Sequence, residues 1–232
     1  MADFWAGREP RTDSPYYPYR KVIPANTMAG AEQIPYILTK YMMDLPLPGY
    51  TPPSGNEYPR ARLKKLIYWD GALPLEQPLP TTQQMKSIQF DPYHPGTEPD
   101  PKRGYRIFSQ ELVGQAQAVG KSIIRCYLGG LSRYQLKNEF VWRQQIIWTV
   151  MVHYDLESNM GTTEASRSYA IAQAIIEATE GVNIGGVGGI VTRQMTKFDD
   201  ERTNTGYKIY QEIDWNGDAP NPAFADGAVF VP

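Results

Sequence analysis

The chain has 232 residues, a mass of 26.2 kDa and a formal net charge of -2, with 41% hydrophobic and 21% charged residues. This composition is typical of a soluble globular protein, and the small net charge argues against a nucleic-acid clamp or a membrane-surface protein. The single Cys126 excludes a disulfide scaffold and a cysteine-based zinc site, and two histidines are too few for a histidine-rich one.

No targeting signal is evident at the N-terminus. Residues 1–11 carry two acidic and two basic side chains and are followed by no apolar run, unlike a signal peptide. No window approaches the roughly 18 consecutive apolar residues of a membrane-spanning helix. Together with the free thiol, these features predict a protein that assembles in a reducing cytoplasm and has no membrane partner.

Proline divides the chain into unlike parts. Of the 20 prolines, 17 lie between Pro10 and Pro101, and none lies between Lys102 and Ala219. Proline lacks an amide donor and fixes φ, so it disfavours regular helices and sheets. We therefore predict an extended Pro- and Tyr-rich arm with short helices over residues 1–101. An α+β core domain is predicted over residues 102–216 and an irregular tail over residues 217–232.

The arm combines proline with aromatic residues, as in the run from Pro15 to Tyr19. Tyrosines and leucines spaced by prolines suit an extended strap whose side chains bury one by one against another surface. Two short helices are predicted within it, one opened by Pro35 and running through Met42, and one from Thr82 to Ile88. The arm residues predicted to contact a partner include Tyr16, Tyr17, Tyr19 and Tyr50.

The proline-free part has a regular hydrophobic rhythm. Apolar residues that recur every three or four positions predict a helix from an N-cap at Ser109 through Tyr127, ending at Gly129 and Gly130. Alternation of apolar and polar residues predicts a strand over 140–155. A helix capped by Thr163 is predicted over 164–180. Two further strands are predicted over 188–198 and 206–215, joined by a polar hairpin linker. The predicted fold is α+β, a small mostly antiparallel sheet flanked by helices.

Motifs that carry chemistry are weak. His153, Asp155 and Glu157 alternate along a predicted strand and could project to one face as metal ligands, but they equally fit a solvated strand end. The glycine-rich run 181–189 lacks the Gly-Lys-Ser/Thr ending of a phosphate loop and connects a helix to a strand. The acidic run 199–201 lacks the spacing and central glycine of a calcium loop.

Charge is distributed unevenly. Residues 1–106 carry a net +2 and residues 107–232 a net -4, which favours docking of the arm onto a domain of its own or a neighbouring chain. One basic cluster stands beside an apolar run and is typical of a protein interface more than of a nucleic-acid patch. Its members, with the adjacent aromatic residue, are Arg60, Arg62, Lys64, Lys65 and Trp69.

The C-terminal half resembles a known family. A long amphipathic strand (143–155), a polar turn, a helix (164–180) and a hairpin ending at Trp215 are similar to the tail-terminator, or tail-completion, proteins of tailed bacteriophages. The resemblance covers about residues 107–216 and depends on element order and strand character. It implies a small sheet with flanking helices and no cofactor. It also implies a ring, hexameric in the family, that caps the tail tube and joins it to the head connector.

The resemblance implies a non-enzymatic virion protein at the phage neck, assembled in the host cytoplasm. Its partners would be copies of itself, the tail-tube protein and the head-connector protein, with packaged DNA nearby. The acidic hairpin residues Asp199, Asp200 and Glu201, with Arg202, would then face the lumen or contact a neighbour. The alternatives are another tail-tube, baseplate or head-surface component, a soluble monomeric binding module, and a small hydrolase or metal-dependent enzyme using His153, Asp155 and Glu157.

Overall fold

The fold is taken from a computed structural model that describes residues 34–43, 58–92, 98–111, 121–136, 139–160, 166–181, 189–200 and 203–215. Several sites predicted from sequence lie outside these residues. They are Tyr16, Tyr17, Tyr19 and Tyr50 of the arm, Glu201 and Arg202 of the hairpin linker, and the tail from residue 217 onward.

Five α-helices and one short 3-10 helix are present in the described residues. They are α1 (Ile34–Met43), α2 (Pro59–Tyr68), the 3-10 helix η1 (Pro74–Glu76), α3 (Thr82–Ile88), α4 (Tyr154–Glu157) and α5 (Arg167–Thr179). The predicted helices at 35–42 and 82–88 are confirmed. None of the described helices has the length and apolar character needed to cross a membrane.

Five strands form one sheet in the order β1-β2-β3-β5-β4. β1 (Ile107–Phe108) pairs parallel with β2 (Ser122–Leu136), and β3 (Glu139–His153), β4 (Ile190–Asp200) and β5 (Asn204–Trp215) complete antiparallel pairs. The predicted α+β class and the β4–β5 hairpin are confirmed. The hairpin places β4 at one margin of the sheet.

One face of the sheet carries the main core. Alternate β3 residues Ile146, Trp148, Val150 and Val152 are buried, as the period of two requires, and pack with residues from α1, α2, α3 and α5. The helices thus lie against the sheet on this face, with α2 packed along α5.

A buried glutamine fixes the helix layer to the sheet. Gln211 of β5 accepts a hydrogen bond from Trp148 Nε1 at 2.9 Å and donates from Nε2 to Thr179 Oγ1 of α5 and Thr192 Oγ1 of β4 at 2.7 and 3.0 Å. Because both ends of the amide are satisfied, its burial adds geometric specificity without leaving an unpaired polar group. The network sets where α5 ends over the sheet.

The opposite face has a smaller cluster near β1, with Phe108, Ile123 and Met151 buried. Phe90, Tyr105 and Phe198 pack against it. On β5, Gly206 permits the close approach of β5 to β3, because a Cβ there would lie 1.8 Å from the carbonyl oxygen of Val150. A larger residue at this position would separate β5 from β3.

The helix predicted from Ser109 through Tyr127 is wrong over its second half. Residues from Ser122 onward form β2, which pairs with β3 from Ser122 opposite Val152. Ile123 and Tyr127 are four residues apart, which suits a helix, but they also alternate with buried Ile124 and Cys126 on the two faces of a strand. Pairing along β3 decides between the two periods. Residues 112–120 lie outside the described part.

Two predicted boundaries are also corrected. The strand predicted to reach Asp155 ends at His153, whose Nδ1 accepts from the Asp155 N–H and caps α4. The helix predicted from residue 164 begins at Arg167, with Ser166 as its N-cap through a hydrogen bond from the Tyr169 N–H. It ends at Thr179, and Gly181, the predicted stop, follows after Glu180 with a φ of +69°.

The proline-rich half contributes to the core of the sheet domain. Ile37, Leu38 and Met42 of α1 and Leu63 and Leu66 of α2 are fully or almost fully buried in the same cluster as the sheet residues. The two sides of residue 102 therefore share one hydrophobic core in the described residues. From α1 onward, the segment expected to be a strap packs on its own chain.

We predict that a variant lacking residues 1–33 folds and that a variant lacking residues 1–60 does not. The longer deletion removes α1 with fully buried Ile37 and Leu38 and nearly fully buried Met42. Each such side chain contributes about 1.5–3 kcal/mol, a large share of the about 5–15 kcal/mol that stabilises a domain. Thermal unfolding of the two deletion variants, monitored by circular dichroism, tests whether each one folds. A cooperative transition in the longer deletion would contradict the shared core.

Cys126 offers an independent probe of that core. Its side chain is fully buried on β2, and burial raises the pKa of the thiol well above its usual value, so it stays protonated. We expect a thiol reagent such as DTNB to react with one equivalent per chain in denaturant and not in native buffer at pH 8. Rapid stoichiometric labelling of the native protein would show that β2 is accessible.

Candidate functional site

His153, Asp155 and Glu157 do not form a shared site. The Asp155 carboxylate is exposed and lies 3.3 Å from His153 Nδ1, whereas Glu157 turns toward the start of α5. There the Glu157 carboxylate accepts hydrogen bonds from the Ser168 N–H at 2.9 Å and from the hydroxyl groups of Ser166 and Ser168. Glu157 thus stabilises a helix N-terminus, a favourable place for a carboxylate.

Within the described ranges, no group of three or more His, Cys, Asp and Glu side chains could hold a metal ion. The reason for His153 and its neighbours is local. The chain turns into α4 directly after His153, so alternate residues no longer project from one strand face.

The basic residues of α2 are engaged within the chain. Arg60 Nη1 donates to the Tyr41 carbonyl at 2.9 Å and stacks on the Tyr41 ring, and Arg62 Nη2 donates to Glu177 of α5 at 2.7 Å. Lys64 and Lys65 are buried, and Lys65 Nζ donates to the Leu75 carbonyl at 3.0 Å. In this chain, α2 uses its cations to hold α1, α5 and η1.

Trp69 is half-buried where α2 ends. Its Nε1 donates to the Pro78 carbonyl at 3.0 Å, and its ring meets Tyr68 edge-on. The guanidinium of Arg103 lies over both rings, 4.2 Å from the Tyr68 centroid and 5.4 Å from that of Trp69. This stacking fixes the loop after α2 against the turn that precedes β1.

Two buried arginines converge on that same loop. Arg106, 1% exposed and next to β1, donates to the Ile67 carbonyl at 2.7 Å and makes a bidentate pair with Asp70 at 2.6 and 2.5 Å. Arg167, at the start of α5, donates to the carbonyls of Trp69 and Gly71, both at 3.0 Å. We call this arrangement the arginine clamp: Arg106, Arg167 and the segment Ile67–Gly71, which comprises the last two residues of α2 and the start of the loop after it.

Burial lowers the pKa values of basic groups in and beside the arginine clamp. Desolvation lowers the pKa of the Arg167 guanidinium, and the nearby Asp70 charge opposes that shift. The pKa of Lys121 is also lowered, first by desolvation and then by the positive Arg106. Asp70 is the carboxylate that pairs with Arg106, and its charge also acts on Arg167 ahead of that of Glu157, so it has a large structural role.

The β4–β5 hairpin is the other prominent surface. Asp199 near its tip is exposed and accepts a hydrogen bond from Thr205 Oγ1, and Lys197 Nζ lies 3.8 Å from its carboxylate. Asp200 pairs in register with Asn204. The hairpin therefore presents two of the four residues predicted from sequence, Asp199 and Asp200, at the margin of the sheet.

Comparison with known families agrees with this architecture. The model of one protein family, YomW, matches residues 61–213, more than half of the 232-residue chain. The chain belongs to the YomW family. The family name is of the phage-derived, Bacillus prophage type. Among curated proteins, no match was found.

The span of the YomW match has structural meaning. It begins in α2 and ends in β5, and so includes the whole arginine clamp, α3, the sheet and α5. The family unit thus starts well before residue 102, within the proline-rich part. This agrees with the single core that the chain builds from both parts.

Sequence reasoning missed the arginine clamp. Arg106 stands between Tyr105 and Ile107 with no distinguishing pattern. Arg167 does carry a signal, because a cation in the first turn of a helix opposes the helix dipole and needs a specific partner to be retained. Here the partners are two carbonyl groups far away in sequence.

We expect Asp70→Asn to lower the free energy of unfolding by about 3 kcal/mol, because it leaves the buried Arg106 without a counter-charge. Asp214→Asn is the matched control. Asp214 also makes a bidentate pair, with Arg143, and the two carboxylates are similarly exposed, 37% and 43%. Since Arg143 is 29% exposed, the control should lose less than about 1 kcal/mol. Equal losses in urea unfolding would contradict the clamp.

Proposed function

We propose that this YomW-family protein is a non-enzymatic structural component of the phage virion. In this proposal, copies of the protein form a ring at the neck, terminate the tail tube and join it to the head connector. Its partners are then other copies of the chain, the tail-tube protein and the head-connector protein. The proposal extends the phage association of the family to a specific station in the particle.

The observation that carries the proposal is the β4–β5 hairpin, which presents a strand edge and charged side chains at the margin of a rigid sheet. A strand edge gains affinity through main-chain hydrogen bonds with another chain and needs no active site. Glu157 turns away from His153 and Asp155, so the three side chains form no shared metal site, and this also favours an assembly role over metal-dependent chemistry.

The arm has a narrower role in this proposal. Since α1, α2 and α3 pack on their own sheet, contacts with neighbours are assigned to residues before α1, where Tyr16, Tyr17 and Tyr19 supply aromatic side chains. Many weak contacts along such a segment add up when several copies stand side by side. The arm would then bind a neighbouring chain.

Deleting the gene from its phage should give filled heads and unjoined tails with tubes of uncontrolled length, visible by electron microscopy. Gold-labelled antibody should mark the neck of wild-type particles. Complementation should succeed with the full chain and fail with Tyr16→Ser, Tyr17→Ser and Tyr19→Ser combined, although that variant should fold like wild type. Normal particles without the gene, or label on the head shell, tube or baseplate, would contradict the neck role.

A further inference from the structure

A partly exposed apolar groove lies on the helix side of the sheet, between α5 and β4. Tyr169 and Ile176 are seven residues apart and therefore lie on one side of α5, and Tyr169 is 47% exposed. Ile176, Met195 of β4 and Tyr207 of β5 are partly buried against the main core. We call these four residues the tyrosine groove.

Strand register places the floor of the tyrosine groove on the helix side. Met195 is level with Ile209, and Lys197 is level with Tyr207. Because Ile209 is buried in the main core, Met195, Lys197 and Tyr207 face the helices as well. The rings of Tyr169 and Tyr207 meet edge to face, with 5.7 Å between their centroids. The groove thus has an aromatic wall, and its rim is the 57% exposed side chain of Lys197.

The tyrosine groove lies where the described helix layer ends. α1 packs on β1 and β2, and α2 packs between α1 and α5. Of the described helices, α5 lies nearest to the β4 margin. The hydrogen bond from the Thr192 N–H to Glu180 Oε2 joins its end to the start of β4. The start of α5, with Tyr169, is therefore the part that borders the groove.

The arm contains a segment whose chemistry suits this groove. Pro15 and Pro18 have Pro-x-x-Pro spacing, with Tyr16 and Tyr17 between them and Tyr19 after them. Segments of this type bind aromatic-lined grooves, and proline lowers the entropy that the free segment has to lose. Residues 15–19 lie outside the described residues, and 14 residues separate them from α1.

The position of α1 indicates which copy supplies the segment. The arm joins α1 at the β1–β2 margin, whereas the tyrosine groove lies at the β4 margin. Fourteen residues span at most about 50 Å, enough for the groove of either copy. To reach its own groove, the arm would cross α2 and α5 where their surface is polar, at the Arg62–Glu177 ion pair and Gln173. A second copy with its β4 margin beside α1 meets the arm directly.

We propose that residues 15–19 of one copy bind the tyrosine groove of a second copy. The contact is heterologous, because the arm and the groove are different surfaces at opposite margins of the sheet. Repeated around a closed rotation, such a contact gives a ring. The proposal rests on the self-assembly in the proposed function and names the surface that the arm binds.

A photo-cross-linker in the full chain tests this contact. Isotope-labelled protein carrying Tyr169→p-benzoylphenylalanine is mixed with a tenfold excess of unlabelled wild type at about 100 µM and irradiated. Mass spectrometry should find the label attached to the tryptic peptide 12–20 of the unlabelled chain. The matched control is p-benzoylphenylalanine at Tyr58, a tyrosine 40% exposed at the start of α2, which should not attach to this peptide.

Self-association gives a second readout. Wild type should associate in analytical ultracentrifugation, and Tyr169→Ser should weaken association by about tenfold, as expected for truncation of an aromatic anchor. The combined Tyr16→Ser, Tyr17→Ser and Tyr19→Ser variant should do the same. Mixing the two variants should restore pairs and nothing larger, since one chain keeps its arm and the other its groove. Tyr58→Ser should associate like wild type.

Attachment only within the labelled chain, attachment to another segment such as 217–232, or no attachment would overturn the arm–groove contact. Unchanged association of Tyr169→Ser, or a monomeric wild type, would overturn it as well. The neck role has its own readout in particles made without the gene. A cross-link between chains together with normal particles would keep the contact and remove the neck role. No cross-link together with unjoined heads and tails would do the reverse.

Discussion

The two buried guanidinium groups of Arg106 and Arg167 hold one loop, and the rest of the structure depends on that contact. Removing charges from water is costly, so both must be satisfied where they lie. Asp70 and the carbonyl groups of Ile67, Trp69 and Gly71 accept hydrogen bonds from their Nη groups, while the Nε of each arginine is buried without a partner. Because Arg106 precedes β1 and Arg167 begins α5, the loop after α2 is tied to both the sheet and its helix.

This contact separates what is fixed in the protein from what is available to partners. The helices before residue 102 are held to their own sheet, with α2 bonded to α5 through Arg62 and Glu177. The β4–β5 hairpin, in contrast, is tied down at Glu180 and Gln211 and leaves its far end exposed. A sheet whose β4 edge pairs with no strand of the described residues is suited to assembly, which agrees with a family whose name is of the phage type.

Local patterns in the sequence predicted much of the fold, and non-local contacts account for the rest. Alternation in β3 and the polar linker before β5 are short-range signals, and both led to correct elements. The apolar residues between 122 and 128 fit both the period of a helix and the period of a strand, and only pairing with β3 selects the strand. Lys64 and Lys65 belong to a cluster predicted to be an interface, and neither their burial nor the Lys65 hydrogen bond to the Leu75 carbonyl has a signal in the sequence. Arg106 escaped notice for the same reason.

Native-state hydrogen exchange tests the central claim most directly, namely that the arginine clamp makes the proline-rich helices and the sheet one cooperative unit. The account predicts that the slowest amides of α2 and of β3 open with the same free energy, equal to that of global unfolding. It also predicts that Asp70→Asn lowers both together. Exchange of α2 at a clearly lower free energy than β3 would contradict it, and would show that these helices detach as an arm.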